Sequence, residues 1–195
     1  MIVYRWGVVE YKKAMKEMRE IHSFVQKDKK NRLIVCSHPK VFTVGSDRKK
    51  EWGVDTIYTD RGGSVTCHSE GQSVFYFCFV VEYPFVFYKK VREVFSNFFS
   101  RLNKNIYFDK KNPGFYIENR KISSLGFRYE NGVSLHGVSV NVDVDLSFHS
   151  LVPPCGLEGI KPGSLVNEGI LISQREVEEE ILKEICEVFG ESLQT

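Results

Sequence analysis

Long hydrophobic runs are missing from this 195-residue chain. Its most apolar stretch, residues 74–81, falls far short of the roughly 20 residues that cross a bilayer, so no membrane association is expected. Cysteine is scarce and odd in number, at positions 36, 67, 78, 155 and 186 without a C-x-x-C pair. That pattern speaks against a disulfide framework and a thiolate zinc site, and reduced thiols are expected. An excess of one charge sign is also lacking: a net charge of +2 is too balanced for a dedicated nucleic-acid binder. No P-loop or G-x-G-x-x-G pattern occurs, so nothing speaks for ATP or NAD. Cys36-x-His38, Cys67-His68 and Asp143-x-Asp145 supply ligand types without the spacing of zinc or calcium loops, so neither metal nor cofactor is expected. Without a Pro/Ser/Gly-rich linker, residues 1–195 read as a single domain. The start, Met1-Ile2-Val3-Tyr4-Arg5-Trp6, lacks the design of a signal peptide, which leads to a cytoplasmic expectation.

What is present suffices for one substantial core, with 42% hydrophobic and 13% aromatic residues. Apolar spacing predicts three amphipathic helices. The first covers about residues 10–27, with Tyr11, Ala14, Met15, Met18, Ile21, His22 and Val25 on its stripe. The second runs from about Pro84 to Leu102, with proline at a position where a helix tolerates a missing N–H. The third starts from a capping box at Ser173-Gln174-Arg175-Glu176 and closes at Gly190. Strands are expected at Ile2 to Arg5, Leu33 to Ser37 and Ser73 to Val81, the last buried on both faces. From Gly114 to Val144, turn dipeptides at Glu118-Asn119 and Asn131-Gly132 mark hairpins. The fold class is α+β, a mixed or antiparallel sheet with flanking helices. Lysines cluster at residues 27–32, at Arg48-Lys49-Lys50 and at Lys110-Lys111, as solvated loops or as a docking patch for an acidic protein.

Cys155 lies in a stiff turn, Val152-Pro153-Pro154-Cys155-Gly156, on a loop rather than in a sheet interior. A free thiol is only about 3% thiolate at pH 7, so a nucleophilic cysteine needs a nearby cation. Lys121, in Arg120-Lys121-Ile122-Ser123-Ser124-Leu125-Gly126, can supply one, because such a pair can exchange a proton near neutral pH. Arg61-Gly62-Gly63-Ser64-Val65-Thr66-Cys67-His68 adds a glycine turn that brings a ligand close to backbone N–H donors, with Arg61 available for a phosphate or carbonyl. His136-Gly137-Val138-Ser139 places another glycine on a strand, either where a backbone passes near a ligand or where the strand is kinked.

Jointly these motifs resemble the octanoyltransferases of lipoate synthesis, also called lipoyl(octanoyl) transferases or lipoate-protein ligase B. The resemblance runs through His38-Pro39-Lys40-Val41-Phe42-Thr43-Val44-Gly45, the 61–68 motif with Gly71-Gln72, Lys121-Ile122, Leu125-Gly126, His136-Gly137, Asn141, Asp145-Leu146 and Pro154-Cys155-Gly156. It implies a biotin/lipoate ligase-like acyltransferase fold. It also implies transfer of an octanoyl or lipoyl group from acyl carrier protein to a lysine of lipoyl domains, those of 2-oxoacid dehydrogenases and the glycine cleavage H protein. In that reading Cys155 carries the acyl thioester and Lys121 lowers its pKa. The substrate contacts fall on Arg61, Gly62, Gly63, Ser64, Val65, Thr66, Cys67, His68, Ser124, Leu125, Gly126, Gly137, Val138 and Ser139.

The chain departs from the family pattern around His68. Cys67 stands where the family has tyrosine, and Ser69-Glu70 stands where it has Gly-Pro. Cys67 is therefore a rival thiol, and an inward-pointing Glu70 would raise a nearby thiol's pKa. Two other readings use the same residues. One is an ATP-dependent lipoate or biotin ligase on the same fold, and the other is a non-catalytic acyl- or lipoyl-domain-binding protein.

Overall fold

The computed structural model describes residues 1–48, 51–103 and 105–194, with Cys155 described by its backbone alone. Lys49 and Lys50 of the second lysine cluster therefore lie outside the described residues. A mixed sheet runs through the molecule in the order β1 (Ile2–Val8), β2 (Arg32–Ser37), β6 (Gln72–Cys78), β10 (Val133–Asn141), β9 (Arg120–Glu130), β8 (Gly114–Ile117) and β7 (Tyr107–Asp109). β1 pairs parallel with β2, and the remaining neighbours along that path are antiparallel. The short β11 (Lys161–Pro162) adds to β9 in parallel. A second sheet has β3 (Val41–Val44) between β4 (Thr56–Tyr58) and β5 (Val65–His68).

The predicted helices form as α1 (Tyr11–Asp28), α2 (Pro84–Leu102) and α4 (Gln174–Phe189), for the expected local reasons. Pro84 occupies the first turn of α2. In α4 both hydrogen bonds of the Ser173/Glu176 capping box are present, and Gly190 closes the helix in the left-handed conformation. The predicted turns join β8 to β9 and β9 to β10, with Glu118, Asn131 and Gly132 all at positive φ. β1 continues to Val8, beyond the expected end at Arg5, and β6 stops at Cys78, with Val80 making only an isolated bridge to Val133. Sequence reading omitted the small sheet, β7, and a short α3 (Leu146–His149) whose N–H groups at Ser147 and Phe148 are capped by Asp145.

Two apolar clusters fill the two sides of the large sheet. α2 and α4 cover one side, where Phe75, Phe77, Val138 and Val140 meet Phe87, Phe95, Phe98, Ile181 and Ile185. α1 covers part of the other, where Val74, Tyr76 and Leu135 meet Met18, Ile21 and Val25. Burial of these aliphatic and aromatic side chains contributes roughly 1.5–3 kcal/mol each, which is what holds the layers together. The loop and strand of residues 61–68, from the small sheet, face β6, β9 and β10 of the large sheet beside Tyr11 of α1, and the space between the two sheets holds the site.

Candidate active site

The glycine motif is the connection between β4 and β5. It folds over Gly45, where any Cβ would overlap the carbonyl oxygen of Gly63 and crowd Arg61 O at 2.7 Å. From there it lies on β9: Gly62 N donates to Phe127 O at 3.0 Å, and a Cβ on Gly126 would stand 3.0 Å from Gly62 O. Two glycine backbones thus touch where side chains would hold the small sheet away. Arg61 is buried and serves this packing directly. Its guanidinium donates to Thr43 O and Oγ1 at 3.1 and 3.0 Å and to Gly62 O at 3.0 Å. This modifies the expectation of an arginine available for a phosphate or carbonyl, although Arg61 still borders the cavity described next.

Beneath the loop, the register pairs Gly137 with Gly126, Val138 with Leu125 and Ser139 with Ser124. Together with Arg61, Gly62, Gly63, Ser64, Thr66 and His68, these strands wall a cavity of about 480 Å3, its open mouth included. Val65 and Cys67 fall outside it and border an adjoining cavity. Gly137 has a reason other than a ligand, since a Cβ there would overlap the carbonyl oxygen of Phe75 on β6. His136 sits at φ 64°, in the left-handed region, and its Nε2–H donates to Asp60 Oδ1 at 2.7 Å. The kinked strand is therefore real, and it ties β10 to the start of the glycine loop.

Tyr11, His68, Tyr76 and His136 border the same cavity, and sequence reading had placed Tyr11 and Tyr76 simply in apolar elements. His68 stacks on Tyr11 at 5.5 Å and donates from Nδ1 to Gln72 Oε1 at 2.7 Å. Burial holds its pKa well below the usual histidine range, so the imidazole is neutral. Gln72 passes the chain on to Cys67 O and Asn141 Oδ1, at 3.1 and 2.8 Å, and Asn141 donates to Gly163 O at 2.8 Å. Gly163 N in turn donates to Lys121 O at 3.0 Å. One hydrogen-bonded run thus joins the motif histidine to the strand that carries the candidate lysine.

Lys121 is 2% exposed. Its Nζ donates to Pro113 O at 3.1 Å and Asn112 O at 3.5 Å and lies 5.1 Å from the Tyr116 ring centroid. Gly114 makes the room, because a Cβ there would overlap Lys121 Cε. The turn bearing Cys155 is a 3-10 helix, Pro154–Gly156, whose Gly156 has φ 69° and leaves no space for a Cβ beside the Trp52 ring. The Cys155 side chain lies outside the described residues. Lys121, Pro153 and Pro154 border one cavity, about 400 Å3 with its open mouth included, together with Cys67, Gln72, Asn141 and His149. Thr66 and Ser124 line both cavities, so the two adjoin. The arrangement offers a buried cation and a thiol-bearing turn at one end of a cleft whose other end is glycine and aromatic walls.

The two departures noted above now have positions. Burial, with Asp145 adding to it, pushes the Cys67 thiol up to about 12, which disfavours it as a nucleophile at neutral pH. Glu70 is exposed, so its charge sits in solvent rather than against the cavity.

Comparison with known proteins identifies the family and the fold. The family model described as the lipoyl protein ligase A/B catalytic domain matches residues 10–185. A protein of Marinomonas sp. (strain MWYL1) named octanoyltransferase is 31% identical, over 94% of this chain and 90% of its own. One of the same name from Francisella tularensis subsp. tularensis (strain WY96-3418) is 35% identical over 83% of each. Among solved structures, the bipartite lipoate protein ligase of Thermoplasma acidophilum superposes with a TM-score of 0.78 at 16% identity, covering 100% of this chain and 86% of that one. The biotin protein ligase of Leishmania major superposes with a TM-score of 0.57 at 11% identity, covering 97% and 74%. The α+β architecture is thus that of the lipoate and biotin ligase-like folds. No helix among the described residues is long and apolar enough to cross a membrane.

Proposed function

The chain belongs to the lipoyl protein ligase A/B catalytic-domain family, and from that premise we propose that it is an octanoyltransferase of lipoate synthesis acting through an acyl-Cys155 intermediate. The observation that carries the reading is the shared cavity. Lys121 and the Pro154–Gly156 turn border it together, and it adjoins the glycine-walled cavity along Thr66 and Ser124. An acyl chain in the second cavity would lead its carbonyl to the first. About six methylenes of an eight-carbon chain contribute roughly 0.8 kcal/mol each on burial, enough to select for a chain that fits.

The chemistry has two halves. Cys155 thiolate attacks the thioester of octanoyl-acyl carrier protein, and the carrier's pantetheine thiol leaves. The amine of a lipoyl-domain lysine then attacks the acyl-enzyme, giving an amide and regenerating the thiol. Lys121 favours the thiolate in the first half as a nearby cation and gives its proton to the departing pantetheine sulfur; then neutral, it receives the amine proton in the second half. Thioester exchange is nearly isoenergetic and amide formation from a thioester is downhill, so the cycle needs no ATP. The reading carries with it a cytoplasmic location and, as acceptors, the lipoyl domains of 2-oxoacid dehydrogenases and the glycine cleavage H protein.

Intact-protein mass spectrometry after mixing with octanoyl-acyl carrier protein tests this directly. A hydroxylamine-labile octanoyl adduct is expected on the native chain and on Cys67→Ala, and none on Cys155→Ala. An adduct that survives Cys155→Ala moves the nucleophile elsewhere. Octanoyl transfer that depends on ATP would favour a ligase.

A further inference from the structure

His149 was not singled out from sequence, yet the last residue of α3 borders the cavity of Lys121 and the Cys155 turn. It is 3% exposed. Its Nε2 lies 2.9 Å from Ser69 Oγ, which also lies 3.1 Å from Glu70 O. A carbonyl can only accept, so the single Ser69 proton goes to Glu70 O, and both contacts are satisfied when His149 Nε2–H donates to Ser69 Oγ. That tautomer leaves Nδ1 as a bare acceptor. Nδ1 makes no hydrogen bond among the described residues, and it is not among the fully occluded polar atoms. The carboxamide oxygens bordering the same cavity are already engaged, Gln72 Oε1 by His68 and Asn141 Oδ1 by Gln72. Lys121 Nζ points its N–H bonds at the carbonyls of Pro113 and Asn112, and in the acyl-enzyme reading its lone pair is reserved for the proton the amine loses, which leaves the orienting hydrogen bond to another acceptor.

We propose that His149 Nδ1 receives the attacking amine of the acceptor lysine, accepting one of its N–H bonds so that the nitrogen lone pair is turned toward the acyl-Cys155 carbonyl. The inference rests on the acyl-enzyme reading above. In the step itself, the N–C bond forms, the C–S bond breaks, its electron pair leaves on sulfur, and the proton lost from nitrogen passes by way of Lys121 to that sulfur. His149 keeps its hydrogen bond throughout and gains no proton. Burial, opposed by Asp145 and assisted by Lys40, pushes its pKa down to about 4, so it stays neutral at pH 7 and sets no positive charge against the lysine. Among the described residues, the charged or titratable groups around it are Lys121 on β9, Cys67 and His68 on β5, and Lys40 and Asp145 at the foot of α3.

The test separates the two half-reactions in single turnovers. Enzyme loaded with octanoyl-acyl carrier protein is isolated, then given either a lipoyl domain or the small thiol N-acetylcysteamine. His149→Phe should load within about twofold of the native rate and pass its acyl group to the thiol unchanged, but transfer to lysine should slow by about tenfold, the effect of one lost hydrogen bond. His149→Asn keeps an acceptor near the position of Nδ1 and should recover to within about threefold of native. Native-like lysine transfer by His149→Phe overturns the proposal while leaving the acyl-enzyme intact. Equal slowing of loading, thiol exchange and lysine transfer assigns His149 to packing, and failure of His149→Asn to recover has the same meaning. If the native chain never acquires a thioester, the parent reading fails, and this inference with it.

Discussion

Within β6, Phe75 and Phe77 point into the side covered by α2 and α4, whereas Val74 and Tyr76 face α1 and the cavity. On β10, Val140 joins the phenylalanine cluster, Ser139 lines a cavity and Asn141 joins the hydrogen-bonded run, while Val138 both packs in that cluster and borders the glycine-walled cavity. On the α2/α4 side, closure comes from shape: Phe75 meets Phe95 edge-on at 5.7 Å, and Phe99 meets Phe115 at 4.6 Å. On the other side the apolar cluster under α1 is continued around the cavity by hydrogen bonds, through His38 with Tyr76, His68 with Gln72, and His136 with Asp60. Close packing leaves little space and little chemistry, while a satisfied polar layer can enclose volume without an unpaired group. The sheet is thus one scaffold whose alternate residues turn mainly to packing on one side and to the cavities on the other, with Val138 and Leu125 shared between them.

That separation can be broken by substitution. The largest expected effect is at the turn: Cys155→Ala should reduce octanoyl transfer to background while the urea midpoint stays within error of native, read by activity and equilibrium unfolding together. Lys121→Met keeps the length of the side chain and removes the cation. Transfer should fall by about 10²–10⁴-fold, with partial recovery as rising pH ionises the thiol unaided. A flat pH response would remove the electrostatic role. Phe95→Ala, on the opposite side, should cost about 3–5 kcal/mol of stability and leave the turnover of the remaining folded enzyme unchanged. A loss of turnover per folded molecule there would show the two faces to be coupled.

The parts legible in the sequence were those with a long period or a specific punctuation mark. Nineteen residues of α2 repeat their apolar stripe often enough to be read, and Asn131-Gly132 names its turn. The small sheet was not read because strands of three and four residues are too short for alternation to be counted. Its residues were instead visible as motif letters, which marked function without showing the fold that carries it. Partnerships across the chain were also unreadable: His136 and Asp60 are 76 positions apart, and His149 and Ser69 are 80. Tyr11 and Tyr76 were hidden differently, because an aromatic on an apolar stripe gives the same signal whether it packs or borders a cavity. Gly137 was singled out correctly as a close approach, but the approaching group is the Phe75 carbonyl of the neighbouring strand.

Acid sharpens the contrast between the faces with the smallest perturbation. Burial lowers the pKa values of His38, His68 and His136, and it takes His149 down to about 4. An unfolded imidazole binds a proton near pH 6.5 and the folded one only at lower pH, so between those values the unfolded chain holds more protons. The stabilisation is complete above about pH 6.5 and is lost as pH falls toward 4. For His149 alone the full loss is about 3 kcal/mol, at roughly 1.4 kcal/mol per pH unit. The depressed carboxylates, Asp60 and Asp145 with Glu10, Glu176 and Glu180 among them, add their own loss once the unfolded carboxyls begin to protonate near about pH 5, so the interval from roughly 6.5 to 5.5 reports the histidines. Urea midpoints across that interval should fall for the native chain, fall less steeply for His149→Phe, and fall with the native slope from a lower starting value for Phe95→Ala. Equal slopes for native and His149→Phe would mean that the cavity does not hold this imidazole neutral, whereas a changed slope in Phe95→Ala would carry the phenylalanine face into the titration of the other.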